Sequence, residues 1–368
     1  MSLEEEIKRR ITERGPLPFA AFMSLALYDP RSGYYARGHE RTGWRGHFLT
    51  SPELDPAFGE LWARAFHHVW DACGRPSSFE VVEIGPGEGT FAAAVLDTVG
   101  KGLRAALTYR LVERVSTVAD RQRQRLAGYE RVEWCTSVTD LPDIASGCVF
   151  ANEVLDNLPV HLVTYEDGTL MELCVGLEDD RLTFVRRPPS NPEPEAFLHR
   201  IGARPGNGVV EVGLAAESLI GHVAGRLQRG AIVFVDYGAD ADELARRGGT
   251  LVAYSEAGVD DRVLERPGDK DITAHTNWTS VRGALERAGM SATEPLDQRT
   301  VLQALGARDL DESFKLAHEA ALTVGSGAEA VAQLSRRQAL GALIDPGGLG
   351  GLQVVAGLRG IDVPVFLQ

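Results

Sequence analysis

The chain has 368 residues, 44% of them hydrophobic, which is enough to bury one large domain with insertions or two domains. Its net charge of −14 argues against non-specific binding to nucleic acid or to anionic membranes. This negative charge is compatible with a cationic substrate, although the need for solubility alone also explains it. No run of about 20 apolar residues occurs, so no membrane span is predicted.

The four cysteines, Cys73, Cys135, Cys148 and Cys174, show no paired spacing, so neither a disulfide framework nor a zinc site is predicted. The acidic N-terminus resembles neither a signal peptide nor a transit peptide. We therefore expect a reducing, cytoplasmic location.

Residues 1–75 are predicted to form a helical extension with a cofactor-lid loop. Helices are expected over 3–14 and 19–27, followed by a polar, glycine-punctuated mobile loop over 36–47. Asp55 and Pro56 then mark a helix start, since Asp is a favoured N-cap and Pro a favoured first helical residue.

The core domain is predicted over 76–160 and 213–368, and it begins with a strand, a glycine loop and a helix. The apolar run 79–84 predicts a buried parallel strand, and 90–97 predicts a helix. Between them lie Gly85, Gly87 and Gly89, which permit backbone angles that other residues avoid. This unit is typical of a doubly wound α/β domain, where ligands bind at the carboxyl ends of the strands.

The glycine loop favours S-adenosylmethionine over a dinucleotide. Dinucleotide loops are usually spaced G-x-G-x-x-G, whereas this loop is G-x-G-x-G, and Pro86 lacks an N–H donor. Glu83 and Glu88 would repel a pyrophosphate but suit a ligand that carries an ammonium and a sulfonium. A nucleotide site or a purely structural turn remains a less favoured alternative.

Two further strands extend the predicted cofactor site. The strand 108–113 ends in Glu113, whose two carboxylate oxygens can accept both ribose hydroxyls, or which can instead cap a helix. The segment 132–137 predicts the next strand and its loop, with Ser137 where an adenine would lie.

A second candidate site follows the apolar strand 148–152. This strand ends at Asn152, and Glu153 and Asp156 would share one face if the following turn is helical. Asp156 can alternatively cap a helix. In this fold the fourth strand ends beside the reactive group, so these residues are candidates for acceptor binding.

Residues 161–212 alternate apolar and polar side chains between Asp- and Gly-containing turns, which predicts antiparallel hairpins in an inserted β lobe for substrate. The proline-rich stretch 187–194 is expected to be a loop. Later expected elements are a helix at 215–228, a fifth sheet strand at 231–238, helices at 278–288, 312–323 and 329–339, and a final edge strand at 352–357.

Together these segments resemble the MidA family, whose mitochondrial members are protein arginine methyltransferases that assist assembly of respiratory complex I. The matching segments lie in one order between about residue 20 and residue 275: Leu27-Tyr-Asp-Pro, Gly33-Tyr-Tyr, Phe48-Leu-Thr-Ser-Pro-Glu, Glu83-Ile-Gly-Pro-Gly-Glu-Gly-Thr, Leu111-Val-Glu, Ala151-Asn-Glu, Asp236-Tyr-Gly, Gly249-Thr-Leu and Asp271-Ile-Thr-Ala-His. The Thr-Ser-Pro-Glu and Asp-Ile-Thr-Ala-His segments are the most particular to that family.

The resemblance implies an α/β fold with a seven-stranded class I methyltransferase core, S-adenosylmethionine at the glycine loop, and a protein arginine as acceptor. Two positions depart from the family. His47 stands where it usually has an aspartate, and an acidic stretch, 255–261, follows Tyr254 where the family tends to be basic.

On this basis Glu153 and Asp156 are expected to hold the guanidinium, and a carboxylate or His275 to accept the released proton. His275 can alternatively fix a loop. Thr50, Ser51 and Glu53 are expected to close over the cofactor. The rival hypotheses are a methyltransferase for a small molecule or another peptide group, and a non-catalytic assembly factor that retains the fold.

Overall fold

The computed structural model describes residues 2–37, 50–203 and 208–368. The predicted mobile loop at 36–47 lies almost wholly outside the described residues; only its first two residues belong to a 3-10 turn, Tyr34–Arg37. His47 also lies outside them.

The described residues form the following elements in chain order. The helices are α1 Leu3–Arg14, α2 Phe19–Tyr28, α3 Ser51–Leu54, α4 Ala57–Ala72, α5 Thr90–Thr98, α6 Lys101–Ala106, α7 Ser116–Arg125, α8 Glu193–Ile201, α9 Leu214–Arg226, α10 Ala241–Arg247, α11 Trp278–Arg287, α12 Gln298–Ala304, α13 Ala307–Thr323 and α14 Gly327–Leu343. The strands are β1 Leu17–Pro18, β2 Phe79–Ile84, β3 Leu107–Val112, β4 Val132–Cys135, β5 Gly147–Asn152, β6 His161–Glu166, β7 Thr169–Glu178, β8 Arg181–Arg187, β9 Val210–Val212, β10 Gly230–Asp236, β11 Gly238–Ala239, β12 Val252–Ser255, β13 Gly258–Asp260, β14 Asp271–Thr273, β15 Thr276–Asn277, β16 Ser291–Ala292, β17 Leu296–Asp297 and β18 Gln353–Arg359.

The chain divides into two compact units. The first comprises Met1–Arg41, Glu153–His222 and Asp236–Ala288, and the second comprises Thr42–Asn152, Val223–Val235 and Gly289–Gln368. This division differs from the predicted boundaries, because 1–41 belongs to the same unit as the β lobe. Among the described helices, none is long and apolar enough to cross a bilayer.

The second unit contains one large sheet in the order β16-β18-β10-β5-β2-β3-β4, with β17 also pairing with β18. The pairs β10–β5, β5–β2, β2–β3 and β3–β4 are all parallel. The glycine loop, Glu113 and Asn152 therefore lie at the carboxyl ends of adjacent strands, as the doubly wound prediction requires. The prediction that the last strand is an edge strand is wrong, because β18 lies between β10 and the short strands β16 and β17.

Aromatic side chains fill the core of the second unit. The α4 residues Phe58, Trp62 and Phe66 are at most 1% exposed. Phe150 of β5 stacks on Phe91 of α5 at a centroid distance of 4.8 Å, and Trp62 lies 4.5 Å from the same ring. This packing fixes α4 and α5 on the strands that carry the glycine loop.

The first unit is built on antiparallel strands. Its larger sheet has the order β1-β7-β6-β9 with β8 paired to β7, and a smaller sheet has the order β13-β12-β14. The N-terminal segment belongs here because β1 pairs with β7, and because Phe19 and Phe22 of α2 share a buried cluster with Val175 of β7.

Two helices of the first unit, α8 and α10, were not predicted from the sequence. The proline-rich loop expected at 187–194 gives way to α8 at Glu193, with Pro194 in its first turn, where a missing N–H costs nothing. Its residues Phe197, Leu198 and Ile201 are buried. The polar stretch after 239 contains α10.

Candidate active site

The glycine loop adopts the backbone that its sequence anticipates. Gly85, Gly87 and Gly89 have φ angles of 66°, 51° and 77°, a region that side-chain-bearing residues rarely occupy. Gly85 N–H donates to Val112 O at 3.2 Å, which ties the loop to β3. Among the residues that the structure describes, Glu53 Oε1 is the one atom within 4 Å of a Cβ built on Gly87, at 3.9 Å. The loop therefore leaves room against its backbone and has a carboxylate beside it.

The two carboxylates on which the sequence argument relied both have protein partners. Glu83 is 5% exposed and accepts from the Tyr109 hydroxyl at 2.7 Å, and burial raises its pKa to about 8. Glu88 forms a two-bonded ion pair with Arg121, at 2.9 and 2.7 Å. Glu83 is therefore a buried sheet residue and Glu88 is neutralised, so the predicted direct contact of these carboxylates with a cationic ligand does not fit this arrangement.

Glu113 lies directly after β3 and is half-buried. Its Oε1 accepts from Val115 N–H at 2.7 Å, and its Oε2 accepts from Gln122 Nε2 at 3.3 Å. Burial raises the pKa of Glu113, and these hydrogen bonds oppose that shift. The backbone N–H of Arg114 also donates to Glu113, and because a carboxylate offers about four lone-pair positions, Glu113 can still accept from a ligand.

Thr50 and Ser51 precede and open the short helix α3. Thr50 occupies its N-cap position without a side-chain capping bond. Ser51 has no exposed surface, and its Oγ accepts from Gln298 Nε2 at 3.2 Å. The Ser51 side chain is therefore committed to the interior, and Glu53 is the residue of this segment whose carboxylate lies beside the glycine loop.

Ser137 and Asn152 lie at the carboxyl ends of β4 and β5. Ser137 caps a 3-10 turn by accepting from Thr139 N–H at 3.2 Å, which satisfies a local backbone group. Asn152 ends β5, whose residue Ala151 pairs with Ile84 at the end of β2. Both residues therefore lie at the carboxyl ends of sheet strands, as the sequence predicted.

In the first unit, Asp236 organises the loop that follows β5. Its Oδ2 accepts from the backbone N–H groups of Leu155 and Asp156 at 2.9 and 3.2 Å, and its Oδ1 accepts from Tyr237 N–H at 2.8 Å. Asp236 is fully buried, and burial raises its pKa to about 7 against the effect of these hydrogen bonds.

Glu153 and Asp156 lie on this loop, and the predicted helical turn is wrong. Residues 153–158 form turns, and Glu153 has a φ of 51°, in the left-handed region. For a residue with a side chain, such a conformation costs about 1–3 kcal/mol and is held by its surroundings. The charge of Glu153 nevertheless acts on Asp156, since it is one of the causes that raise the pKa of Asp156.

Asp156 is the most unusual group of the cluster. It is 5% exposed, and its Oδ1 has no hydrogen-bond partner among the described residues. Burial is the main cause that raises its pKa well above the ordinary value, and the charges of Asp236, Glu153 and Asp271 follow. A buried carboxyl among other carboxylates is destabilised as an anion, so this site favours an incoming cation.

Tyrosines and an asparagine surround the remaining carboxylate, Asp271. The Tyr35 hydroxyl lies 3.0 Å from Asp271 Oδ1 and 2.9 Å from Asn157 Oδ1, and Asn157 Nδ2 donates to Asp271 at 3.0 Å. Tyr254 lies opposite Asp271 in the β12–β14 pair. The carboxylates of Asp156 and Asp271 help to raise the pKa of Tyr254 after burial itself.

His275 has different neighbours. Its backbone N–H donates to Thr250 Oγ1 at 2.9 Å, and its Nδ1 accepts from Arg247 Nη1 at 3.0 Å. Burial and then Arg247 lower its pKa, so the ring is neutral at pH 7. These contacts favour the alternative in which His275 fixes a loop.

The described residues contain no group of three or more His, Cys, Asp or Glu arranged to hold a metal ion. The carboxylates of Asp236, Glu153 and Asp271 all help to raise the pKa of Asp156, and the charges of Glu153 and Asp156 also act on Tyr237 and Tyr254. Carboxylates bind a guanidinium through paired hydrogen bonds, and aromatic faces attract cations.

Comparison with known proteins identifies the family. Residues 61–296 match the family model described as S-adenosyl-L-methionine-dependent methyltransferase. The chain belongs to this methyltransferase family. The cofactor prediction and the α/β fold prediction are thereby confirmed.

Solved structures agree with the assignment. This methyltransferase is 30% identical to a protein from Burkholderia thailandensis whose crystal structure contains S-adenosyl-homocysteine, with a TM-score of 0.86 over 99% of this chain and 94% of that one. A second crystal structure from the same organism has a TM-score of 0.82 at 29% identity over 99% and 93% of the two chains.

Curated relatives agree as well and correct one prediction. The methyltransferase is 31% identical to rat (Rattus norvegicus) protein arginine methyltransferase NDUFAF7, mitochondrial, over 81% of this chain and 72% of the relative. It is 29% identical to the human (Homo sapiens) protein of that name over 81% and 71%. The expected cytoplasmic location is wrong on this comparison, because these relatives are named mitochondrial.

Sequence reasoning missed three residues at these sites. Gln122 and Asp236 are each fully buried polar residues that hold a loop, and Asp271 completes the carboxylate cluster. Asp236 and Asp271 belong to segments that carry the family resemblance, which is a signal for both. Gln122 lies in a polar helix with no distinguishing pattern.

Proposed function

We propose that this methyltransferase transfers a methyl group from S-adenosylmethionine to an arginine side chain of a protein substrate. The observation that carries the proposal is the buried carboxylate cluster of the first unit, in which Asp156 Oδ1 has no partner among the described residues. The names of the relatives as protein arginine methyltransferases support it.

The first unit has the charge that an arginine substrate favours. It carries 29 acidic and 19 basic residues, against 23 and 19 in the second unit. A guanidinium has five N–H donors, stays charged at neutral pH, and pairs with carboxylates in a planar fork. In this proposal Glu153 and Asp156 orient it, while Tyr237 and Tyr254 line the same acidic surroundings.

The second unit offers groups that fit the cofactor. The positive-φ glycine loop gives close access to backbone, Glu113 has spare lone pairs for ribose hydroxyls, and Glu53 places a carboxylate beside Gly87. When bound, the cofactor supplies an electrophilic methyl group on a sulfonium. Asn152 and Glu153 are consecutive, so the strand next to β2 leads directly into the acceptor loop.

The protein's own contribution is positioning and proton acceptance. Holding a nitrogen in an attack geometry can contribute about 7–11 kcal/mol to lowering a barrier. The attacking nitrogen must lose a proton as it gains its methyl group. A carboxylate of Glu153 or Asp156 is the group we assign to accept it, and His275 is assigned to hold its loop.

The test uses the full chain with isotope-labelled S-adenosylmethionine and arginine-containing protein substrates. Tandem mass spectra should locate the label on arginine, and Glu153→Gln should abolish the transfer while its affinity for S-adenosyl-homocysteine stays within about twofold. Label on a small metabolite and none on arginine would instead support the rival acceptor class, and undiminished turnover in Glu153→Gln would remove that residue from the mechanism.

A further inference from the structure

Gln122 is a fully buried glutamine on α7 whose amide has three partners within the second unit. Its Nε2 donates to Gly87 O at 2.8 Å and to Glu113 Oε2 at 3.3 Å. Its Oε1 accepts from Trp134 Nε1 at 3.1 Å. The same side chain also packs against the glycine loop, since a Cβ on Gly89 would meet Gln122 Cγ at 3.4 Å.

These partners fix the orientation of the amide. An indole N–H can only donate, so the atom that faces Trp134 must be the Gln122 oxygen. The amide nitrogen then faces two acceptors, the carbonyl of Gly87 and the carboxylate of Glu113. Trp134 is itself restrained, because the Arg123 guanidinium lies over its ring at 5.4 Å.

We propose that Gln122 is a positioning residue for the cofactor: anchored on Gly87 O and on Trp134, its amide holds the Glu113 carboxylate in one fixed orientation. This inference rests on the proposed function, in which Glu113 binds the ribose hydroxyls. Glu113 also accepts from the backbone N–H groups of Val115 and Arg114, which belong to its own chain turn. Gln122 supplies the bond that a side chain from another element donates, to Oε2, and so fixes the carboxylate relative to the glycine loop.

Two substitutions separate the possible roles of the residue. Gln122→Met keeps the length and bulk of the side chain but removes all three hydrogen bonds. Gln122→Glu keeps an acceptor for Trp134 but places a second carboxylate beside Glu113 and donates nothing to Gly87 at neutral pH. Gln298→Met is the matched control, because Gln298 is equally buried and donates to Leu343 O and Ser51 Oγ rather than to the glycine loop.

The experiment measures affinity by calorimetry for S-adenosyl-homocysteine and for its analogue that lacks both ribose hydroxyls. We expect Gln122→Met to weaken S-adenosyl-homocysteine binding by about tenfold, the effect of one hydrogen bond to a charged group, and Gln122→Glu to weaken it more. Binding of the analogue should change by less than about threefold in both variants, because the lost alignment concerns the hydroxyls. Gln298→Met should bind both ligands as the wild type does.

The outcomes separate this inference from the proposed function. If the wild type does not bind S-adenosyl-homocysteine, the cofactor assignment of these residues fails. If the wild type binds it and the Gln122 variants bind it equally well, Gln122 does not position the site. If the variants lose the same factor for both ligands, the residue only supports the fold, and the inference is again overturned. Gln122→Glu retains a polar partner for Trp134, so it decides the matter if Gln122→Met fails to fold.

Discussion

Glu83 in the second unit and Asp156 in the first are equally buried carboxyl groups, each 5% exposed, with opposite surroundings. Glu83 accepts from one tyrosine hydroxyl, and burial alone raises its pKa. Asp156 has an oxygen without a partner among the described residues, and three other carboxylates raise its pKa further.

The difference teaches that burial of an acid does not by itself indicate a functional group. A buried carboxyl that has a donor and lacks acidic neighbours is satisfied without a ligand. A buried carboxyl among other carboxylates is stabilised by its own proton or by a bound cation. The surroundings of Asp156, and not those of Glu83, therefore indicate a ligand site.

The largest expected effect is that of removing the Asp156 charge. Asp156→Asn keeps the shape of the side chain but cannot pair with a guanidinium, so we expect kcat/KM for the acceptor to fall at least about 100-fold. Affinity for S-adenosyl-homocysteine should stay within about twofold. Steady-state methyl transfer from labelled cofactor measures the first quantity, and calorimetry measures the second.

Glu83→Gln is the matched control for Asp156→Asn, because it replaces an equally buried acid with its amide. The amide oxygen can still accept from Tyr109, so acceptor kinetics should change by less than about threefold. If kcat/KM for the acceptor fell by a comparable factor in both variants, the two carboxyl groups would not differ in function. Glu83 would then again be a candidate cofactor ligand.

The second effect is a proton released when the acceptor binds. Burial and neighbouring carboxylates raise the pKa of Asp156 well above its usual value, and a paired guanidinium would lower it, so binding should release protons wherever the free carboxyl is protonated. Affinity for an arginine peptide should therefore increase with pH, by up to about tenfold per unit for one proton. Calorimetry in buffers of different ionisation enthalpy counts the released protons, and Asp156→Asn should release fewer. Uptake of protons by the wild type would contradict this account.

Much of the second unit was predictable because its strands are short apolar runs that end at glycine or at polar residues. The predicted strand at 79–84 has the bounds of β2, and 148–152 differs from β5 by one residue. Such buried parallel strands have no polar face, so composition alone locates them. The helix α8 was missed since its prolines, which the sequence suggests as loop residues, lie at its start.

The candidate site was predictable in position but not in electrostatics. The carboxyl ends of β2, β3 and β5 carry the anticipated residues because topology fixes them. Whether Glu83 and Glu88 remain available depends on Tyr109 and Arg121, which lie 26 and 33 residues further along the chain. No local sequence pattern reveals these partners. The cofactor prediction was correct, but it rested partly on two carboxylates, Glu83 and Glu88, that already have partners within the protein.

The third effect is on the pH dependence of stability and concerns Glu83. Glu83 has a folded pKa of about 8, above the value of 4.5 for an unperturbed glutamate. Between these values the folded chain retains a proton that the unfolded chain releases, so Glu83 lowers the free energy of unfolding as pH rises from about 4.5 to about 8. Glu83→Gln should therefore gain at least about 1 kcal/mol relative to the wild type between pH 5 and pH 8. Urea unfolding at both pH values measures it, and a pH-independent difference would show that Glu83 keeps its ordinary pKa.

The smallest expected effect tests the strain at Glu153. Its φ of 51° suits glycine, so Glu153→Gly removes a backbone cost while it also removes the carboxylate. We expect unfolding to become harder by about 0.5–1 kcal/mol while methyl transfer is lost, which is the opposite of a simple folding defect. Glu153→Ala separates the two contributions, since it removes the carboxylate but keeps a Cβ in the same strained conformation. If glycine is no more stable than alanine at this position, the left-handed backbone costs nothing here, and the loop that carries the acceptor carboxylates is not held under strain by Asp236.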